Sequence, residues 1–414
     1  MQSTPGSWPR ERYPSAGRAM MRILFVDDEI EVMQAMRRSV REMRNEWSME
    51  FALSGVAALE ELARTPTDVI VSDMRMPGMD GWELLAEVKK LYPQTVRLVL
   101  SGSADAGSIM RAVGTAHQYL AKPCESAALK EAISKTYRLR QLLSSDRLAH
   151  LVGCVDMLPS APKAFLDISA CLRRPTATIA DAAKIIGRDV AMTANVIKLV
   201  NSAFFGTRQP IGTADRAVAY LGLDTIGALV LGHGVFKSGV TTDMEGFSLE
   251  ELWQHSLDVA AAARTVALYE KLPRAHAEQA FLAGMLHDVG KVVYATRRAR
   301  ATDSPNLSGE EAFAQMEAHH AEVGAYLLGL WGFPTSIVEA VAFHHSPTQT
   351  AADGLSLTRL VHIADRLVHQ RQGQSPDSSH PELEAELLEK LALVDHWPAW
   401  LAELDSLASG RTAA

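Results

Sequence analysis

The N-terminal third of the chain alternates short apolar runs with amphipathic segments. Apolar runs occupy positions 22–26, 49–53, 69–72, 96–100 and 118–120. Between and after them, apolar residues recur every three or four positions, at 30–44, 56–63, 82–91, 106–114 and 126–143. The first pattern predicts buried strands and the second predicts helices. Five strand–helix units in a row predict an α/β doubly wound fold, in which helices cover both faces of a parallel sheet.

The pattern changes after Pro159, where helical spacing continues without a strand pattern. Turn signals such as Gly206, Gly222 and Pro273 separate the predicted helices. This part of the chain is therefore predicted to form a separate, all-α domain. Its helices are predicted at 161–172, 179–187, 191–200, 214–221, 225–235, 249–272, 275–291, 309–331, 336–345, 355–368 and 381–393.

Polar residues stand directly after the strands of the first domain. Asp27 and Asp28 follow the first strand, and Asp73 follows the third. Ser101 follows the fourth strand and Lys122 follows the fifth. The carboxyl ends of parallel strands meet at one edge of a sheet, so these groups are predicted to converge there. Clustered carboxylates suit Mg²⁺, a carboxylate can accept a phosphoryl group, and a lysine offsets the transferred charge.

Residues 21–143 resemble the receiver domain of response regulators, which has a flavodoxin-like fold. The resemblance implies that a histidine kinase donates a phosphoryl group to Asp73. The alternative is a flavodoxin-like domain with surface acids of no special role, and five residue types in this order argue against it. The implied Mg²⁺ ligands are the side chains of Asp27, Asp28 and Asp73 and the carbonyl of Arg75. The implied switch residues are Ser101, Tyr119 and Lys122.

Histidines and acids recur at intervals along the C-terminal helices. Imidazoles and carboxylates that project from several helices into one core form metal sites in helical bundles. This donor set suits Fe, Mn or Zn better than Ca²⁺ or Mg²⁺, and such a site can direct water at a phosphodiester. The alternative is that these are ordinary core or surface residues. The candidates are Glu251, His255, His287, Asp288, Lys291, His320, His344, His345 and Asp365.

Residues 158–368 resemble the HDOD domain, a relative of the HD superfamily of metal-dependent phosphohydrolases. The matching segments include LVNSAFFG at 199–206, LAGMLHDVGK at 282–291 and HAEVG at 320–324. HDOD domains are generally viewed as signalling modules that have lost catalysis. The resemblance therefore implies a response regulator whose receiver controls a signalling or interaction module.

An enzymatic function is the alternative: a receiver-gated, metal-dependent phosphodiesterase acting on a cyclic dinucleotide such as cyclic-di-GMP. The related HD-GYP phosphodiesterases use further ligands, and their positions here are Glu251, His320, His344 and His345. Lys291 is the candidate catalytic residue in this interpretation. The sequence after His345 reads SPTQT and lacks the GYP signature, which indicates a different substrate-recognition loop.

The predicted organisation is a disordered leader at 1–20, a receiver at 21–143, a linker or signalling helix at 144–157, an HDOD domain at 158–368, and a polar linker and helical tail at 369–414. The helix that begins at position 126 is predicted to continue through Arg147, with an apolar stripe that includes Leu139 and Leu143. It is either a signalling helix that pairs two chains in a homodimer or a final receiver helix followed by a plain linker. The sequence leaves both open.

Composition limits the partners and the compartment. The net charge is −8, and the candidate DNA-recognition helix at 191–205 carries a single base, Lys198, so nucleic acid is not expected as a partner. Three cysteines without a C-x-x-C pair, and no apolar stretch of membrane-spanning length, predict a cytoplasmic protein. The expected partners are a histidine kinase and a downstream protein, with a cyclic dinucleotide as ligand in the enzymatic interpretation.

Overall fold

The computed structural model describes residues 20–101, 115–122, 124, 126–140, 143, 146–153, 155, 158, 162–172, 174, 176–201, 210–232, 247–298, 309–350, 354–373 and 387–412. The predicted leader, apart from Met20, and the predicted helix at 106–114 lie outside these residues. Among the described residues, no helix has the length and apolar character needed to cross a bilayer.

The N-terminal domain is built on five parallel strands in the order β2-β1-β3-β4-β5. The strands are β1 (Met21–Val26), β2 (Trp47–Ala52), β3 (Val69–Asp73), β4 (Val96–Ser101) and β5 (Gln118–Ala121). The described helices are α1 (Ile30–Ser39), α2 (Gly55–Arg64), α3 (Gly81–Leu91) and α4 (Ser126–Arg140). A 3₁₀ turn, Arg41–Asn45, replaces the end of the helix predicted at 30–44. The predicted doubly wound fold is confirmed.

Alternating strand residues fill two separate apolar cores, one on each face of the sheet. Leu24 and Ile70 pack with α2 and α3 on one face. Phe25, Val71 and Leu98 point to the other face, where their core continues into the C-terminal helices. Successive side chains of a strand point to opposite faces, which explains why these strands are almost uniformly apolar.

The connection to the second domain is not one continuous helix, so the prediction of a helix through Arg147 is wrong. Helix α4 ends at Arg140, Leu143 is not helical, and a new helix, α5, spans Asp146–Gly153. The far end of α5 contacts the receiver sheet. The buried guanidinium of Arg97 in β4 donates a hydrogen bond of 2.9 Å to the carbonyl of Gly153. The apolar stripe of Leu139 and Leu143 is buried within the chain, so it is not an exposed surface for pairing two copies.

The C-terminal domain is helical throughout its described residues, which confirms the predicted all-α class. Helix α9 bends at Gly222, whose φ of 74° lies in the left-handed region that favours glycine, as the turn signal predicted. Residues 387–391 are also helical. The longer helices are α6 (Pro162–Leu172), α7 (Ile179–Ile186), α8 (Val190–Val200), α9 (Ala214–Gly232), α10 (Leu249–Tyr269), α11 (Arg274–Leu286), α12 (Val289–Arg298), α13 (Gly309–Leu330), α14 (Thr335–Phe343), α15 (Leu357–Arg371) and α16 (Trp397–Thr412).

The single helix predicted at 275–291 is two helices, α11 and α12, with His287 and Asp288 at the junction. Neighbouring side chains on one continuous helix point about 100° apart. The break allows His287 and Asp288 to face the same region of the bundle. Both residues are buried, at 1% and 3% exposure.

Helix α8, the candidate for DNA recognition, is buried along all of its residues. The ammonium of Lys198, its only base, lies 4.4 Å from the centroid of the Trp331 ring. Asn195 exchanges two hydrogen bonds with the backbone of Leu158. Helix α8 therefore packs inside the protein and does not present a surface to a DNA groove.

Candidate functional site

The acids of the N-terminal domain meet a lysine at the carboxyl edge of the sheet. The Nζ atom of Lys122 lies 2.5 Å from Asp73 Oδ1 and 2.8 Å from Asp27 Oδ2. The backbone N–H of Arg75 donates to Asp73 Oδ2 at 2.8 Å. Partial burial disfavours the charge of Lys122, but its two carboxylate partners outweigh burial and raise its pKa. Lys122 is therefore held as a cation against the acid predicted to accept the phosphoryl group.

The other predicted receiver residues lie along the same edge. Asp28 is half-buried beside Asp27. Ser101 ends β4 and pairs in register with Ala121, the residue before Lys122. Tyr119 lies in β5, opposite Val99. The backbone places Ser101 and Tyr119 on the two strands that adjoin the acid pocket, and their side chains lie outside the described part of the structure.

A second polar cluster lies inside the C-terminal bundle, where six helices bring histidines and acids together. His255 comes from α10, Lys291 from α12 and His320 from α13. His344 and His345 directly follow α14. Asp365 and His369 lie on α15, and His287 and Asp288 occupy the junction of α11 and α12. The structure therefore brings together every predicted ligand except Glu251.

Close backbone contacts position these helices. A Cβ atom at Gly290 would lie 2.0 Å from the carbonyl oxygen of His320, and Gly324 faces Gly290 across the same crossing. A Cβ atom at Gly284 would lie 2.9 Å from the Cα atom of Ala260, where α11 crosses α10. Glycine at these crossings permits backbone contact between helices, which brings His320 beside Asp288.

Asp288 lies between two groups of donors. Its Oδ1 atom is 3.2 Å from His320 Nε2 and 4.0 Å from His344 Nε2. Its Oδ2 atom is 3.4 Å from His287 Nε2 and 3.1 Å from Lys291 Nζ. Burial favours the neutral acid, but these neighbours outweigh it and hold the pKa of Asp288 well below its usual range. The two oxygens of one carboxylate thus face different histidines.

The first donor group consists of His320, His344 and His345, whose ligand atoms lie within 4.8 Å of one another. The Nε2 atoms of His320 and His345 are 2.9 Å apart, and those of His320 and His344 are 3.4 Å apart. Nδ1 of His320 and Nδ1 of His344 each donate to a backbone carbonyl, so in the neutral rings the Nε2 atoms carry the lone pairs. Burial lowers the pKa of His344 well below its usual range and that of His345 to about 4, which favours neutral imidazoles. Facing lone pairs on neutral imidazoles fit a bound cation.

The second donor group contains His255, His287, Asp365 and His369. Asp365 Oδ1 lies 3.1 Å from His255 Nε2 and 3.9 Å from His287 Nε2. Among the residues that the structure describes, this buried oxygen has no hydrogen-bond partner. Burial favours the neutral acid, but His255 and His369 outweigh it and hold the pKa of Asp365 well below its usual range. A buried, charged oxygen without a hydrogen bond also fits a cation.

Some residues did not follow the prediction. Glu251 is exposed in the first turn of α10 and is not part of either donor group, so the geometry does not support it as a ligand. The sequence interpretation missed His369, which lies four residues after Asp365 on the same helical face. The contact with the Asp365 carboxylate outweighs burial and raises the pKa of His369 to about 9. The sequence interpretation also missed Glu317, whose Oε2 atom lies 3.3 Å from Lys291 Nζ.

Comparisons with known proteins identify both domains. Residues 23–134 match the sequence model of the response regulator receiver domain, and residues 158–347 match that of the HDOD domain. The chain is a response regulator with an HDOD domain. Its receiver carries the acid pocket, and the residues matched to the HDOD domain carry the first donor group. Asp365 and His369 of the second donor group lie C-terminal to that match.

Individual relatives match only parts of this response regulator. An uncharacterized protein of Treponema pallidum is 27% identical over 248 residues, which cover 56% of this chain and 46% of that protein. The hydrogenase transcriptional regulatory protein HoxA of Cupriavidus necator is 39% identical over 107 residues, 24% of this chain and 21% of its own length. The chain thus spans less than half the length of these curated relatives. The crystal structure of the MmoQ response regulator of Methylococcus capsulatus is similar with a TM-score of 0.45 and 24% identity, over 60% of this chain and 98% of that one.

Proposed function

We propose that a histidine kinase phosphorylates Asp73 and that the phosphorylated receiver controls the HDOD domain as a signalling module. Bound Mg²⁺, held by Asp27, Asp28, Asp73 and the carbonyl of Arg75, would offset the charge of the incoming phosphoryl group. The Asp73 carboxylate attacks phosphorus, and the bond from phosphorus to the kinase histidine breaks. Lys122, already 2.5 Å from Asp73, then pairs with a phosphoryl oxygen.

The observation that carries this proposal is the direct contact between the receiver and α13 of the HDOD domain. Gln118 of β5 donates from Nε2 to the carbonyl of Gly329 at 3.4 Å. Lys135 of α4 donates from Nζ to the carbonyl of Phe333 at 3.2 Å. Leu139 packs so closely on Gly329 that a Cβ atom there would lie 2.3 Å from the leucine side chain. Both β5 and α4 adjoin Lys122, so a change at the acid pocket has a short path to α13.

Helix α13 connects this contact with the histidine cluster. Gly329 lies nine residues after His320 on the same helix, a rise of about 14 Å. The receiver contacts the C-terminal end of α13, and His320 lies near the middle of the same helix. A rigid helix can therefore transmit a small displacement from the receiver contact to His320. The output is then a change in what the HDOD surface binds, which is a downstream protein in our proposal.

Phosphorylation is expected to increase hydrogen exchange at the end of α13. The measurement is hydrogen–deuterium exchange of peptides covering 325–333, with and without beryllofluoride and Mg²⁺ as a phosphoryl mimic. Asp73→Asn removes the acceptor and is expected to abolish the change. Glu87→Gln, a similar substitution at an exposed residue of α3, should leave it intact. Equal exchange in both states of the wild-type protein would contradict receiver control through this contact.

A phosphodiesterase is the second candidate function, and the convergence of two donor groups favours it. Bound Fe, Mn or Zn ions would lower the pKa of a coordinated water. The two donor groups would hold these ions, and the chemistry supplied would be hydrolysis of a cyclic dinucleotide such as cyclic-di-GMP, in which water adds to phosphorus and the ribose oxygen leaves with a proton. The raised pKa of Lys291, which its partners Asp288 and Glu317 maintain despite burial, keeps it charged to bind a phosphodiester oxygen.

This activity predicts conversion of cyclic-di-GMP to its linear dinucleotide by the Mn²⁺-loaded or Fe²⁺-loaded full chain. Lys291→Met is expected to lower the rate by at least about 100-fold, because it removes the cation that binds the phosphodiester. Chromatography of the nucleotides measures the conversion, and Lys271→Met, at an exposed residue after α10, is the control. If the metal-loaded chain does not hydrolyse cyclic-di-GMP, the enzymatic function is eliminated for this substrate and the signalling function stands.

A further inference from the structure

Several histidines of the cluster share one arrangement of their rings. Each directs Nδ1 at a backbone carbonyl three or four residues earlier, at distances of 2.7 Å for His287, 2.9 Å for His320, 2.8 Å for His344 and 2.9 Å for His369. In the neutral imidazole such a bond fixes the tautomer and leaves the lone pair on Nε2, the arrangement found in histidines that bind metals. His369 therefore has the ring orientation of the predicted ligands, although the sequence motifs do not include it.

We propose that His369 is an additional ligand of a divalent first-row transition cation, which it binds together with His255 and Asp365. The proposal rests on the metal site of the proposed function and adds a residue to it. The ligand atoms of these three residues all lie within 4.8 Å of one another. The rings of His255 and His369 meet edge to face, with centroids 4.9 Å apart.

The position of Asp365 supports this assignment. Its buried Oδ1 atom lies 3.1 Å from His255 Nε2 and has no hydrogen-bond partner among the described residues. The donor nitrogen of His369, Nδ1, lies 3.1 Å from the same oxygen and holds the His369 ring beside the carboxylate. Asp365 and His369 are four residues apart on α15, and His255 approaches from α10. Two helices thus supply two imidazoles and a carboxylate, a donor set that suits Mn²⁺, Fe²⁺, Co²⁺ or Zn²⁺.

A purely structural role for His369 makes a different prediction. In that case Nδ1 of the ring only donates a hydrogen bond to the carbonyl of Asp365 and holds the Asp365 side chain in place. Glutamine can make the same contact through its amide N–H, but it is a far weaker ligand for these cations than imidazole. His369→Gln therefore distinguishes a ligand from a positioning residue, whereas His369→Ala removes both functions.

The test is titration of the metal-free full chain with Co²⁺, followed by its visible absorption and by elemental analysis after desalting. We expect His369→Ala and His369→Gln each to weaken binding of at least one Co²⁺ ion tenfold or more and to change its absorption spectrum. His276→Ala, in the first turn of α11 and away from the cluster, should match the wild type.

Other outcomes have distinct meanings. Wild-type affinity and spectrum in His369→Gln, with a loss in His369→Ala, would overturn the proposal in favour of a positioning role. Wild-type behaviour in both variants would overturn any role of His369 in the site. A wild-type chain that binds no Co²⁺ would overturn the metal site of the proposed function, and the inference with it.

Discussion

Asp288→Asn is expected to remove transition metal from both donor groups of the HDOD domain. The two oxygens of Asp288 face different histidines, His320 on one side and His287 on the other. Asparagine keeps the size of the side chain but removes its charge and replaces one acceptor with a donor. A donor that faces imidazole Nε2 atoms competes with a cation for their lone pairs. We therefore expect affinity to fall by at least about 100-fold, at the upper end of losses seen for groups that orient metal ligands.

Elemental analysis of chains loaded with Fe, Mn or Zn measures this loss, and the thermal unfolding midpoint gives a second readout. A cation that binds only the folded state raises the midpoint of the wild type and not that of the variant. Asp258→Asn, on the exposed face of α10, is the matched control. Full metal content in Asp288→Asn would show that the two donor groups do not depend on a shared carboxylate.

Gly290→Ala is expected to destabilise the HDOD domain and to displace His320 from Asp288. The added Cβ would lie 2.0 Å from the carbonyl oxygen of His320 and 2.9 Å from the backbone nitrogen of Gly324. Backbone atoms cannot move aside as a flexible side chain can, so α12 and α13 must separate. Overpacking of this kind costs about 3 kcal/mol of unfolding free energy.

Urea denaturation measures the change in stability, and metal content measures the displacement of His320. Gly212→Ala is the control, because the nearest atom to its Cβ would be the side chain of Pro334 at 3.3 Å. The separation of α12 and α13 should lower metal binding even in conditions where Gly290→Ala remains folded. Unchanged stability and metal content would mean that the two helices do not meet as closely as described.

The receiver could be predicted from sequence because each of its polar residues follows a strand directly. Strand order along the chain then fixes which groups share the edge of the sheet. The two donor groups were harder to predict, because their formation depends on how helices cross. Apolar spacing continues through His287 and Asp288, so a break of two residues does not appear in the pattern. His369 had a local signal, its spacing of four from Asp365, but 14 histidines in the chain obscured it.

Two errors arose from treating local spacing as sufficient. Glu251 is one turn before His255, yet it lies in the exposed first turn of α10. The helix predicted through Arg147 has a suitable apolar stripe, yet α4 ends at Arg140 and α5 begins at Asp146. The guanidinium of Arg97 donates to the carbonyl of Gly153 at the end of α5, 56 residues away. Spacing within the linker does not reveal a contact of this kind.

The apolar core on one face of the receiver sheet continues without interruption into the HDOD helices. One buried network includes Leu98 of the sheet, Val152 of α5 and Leu327 of α13. Neither domain can therefore unfold without exposing apolar surface of the other, so we expect the unfolding of the two domains to be coupled. A modification of the acid pocket that weakens the contact with α13 is expected to weaken this coupling.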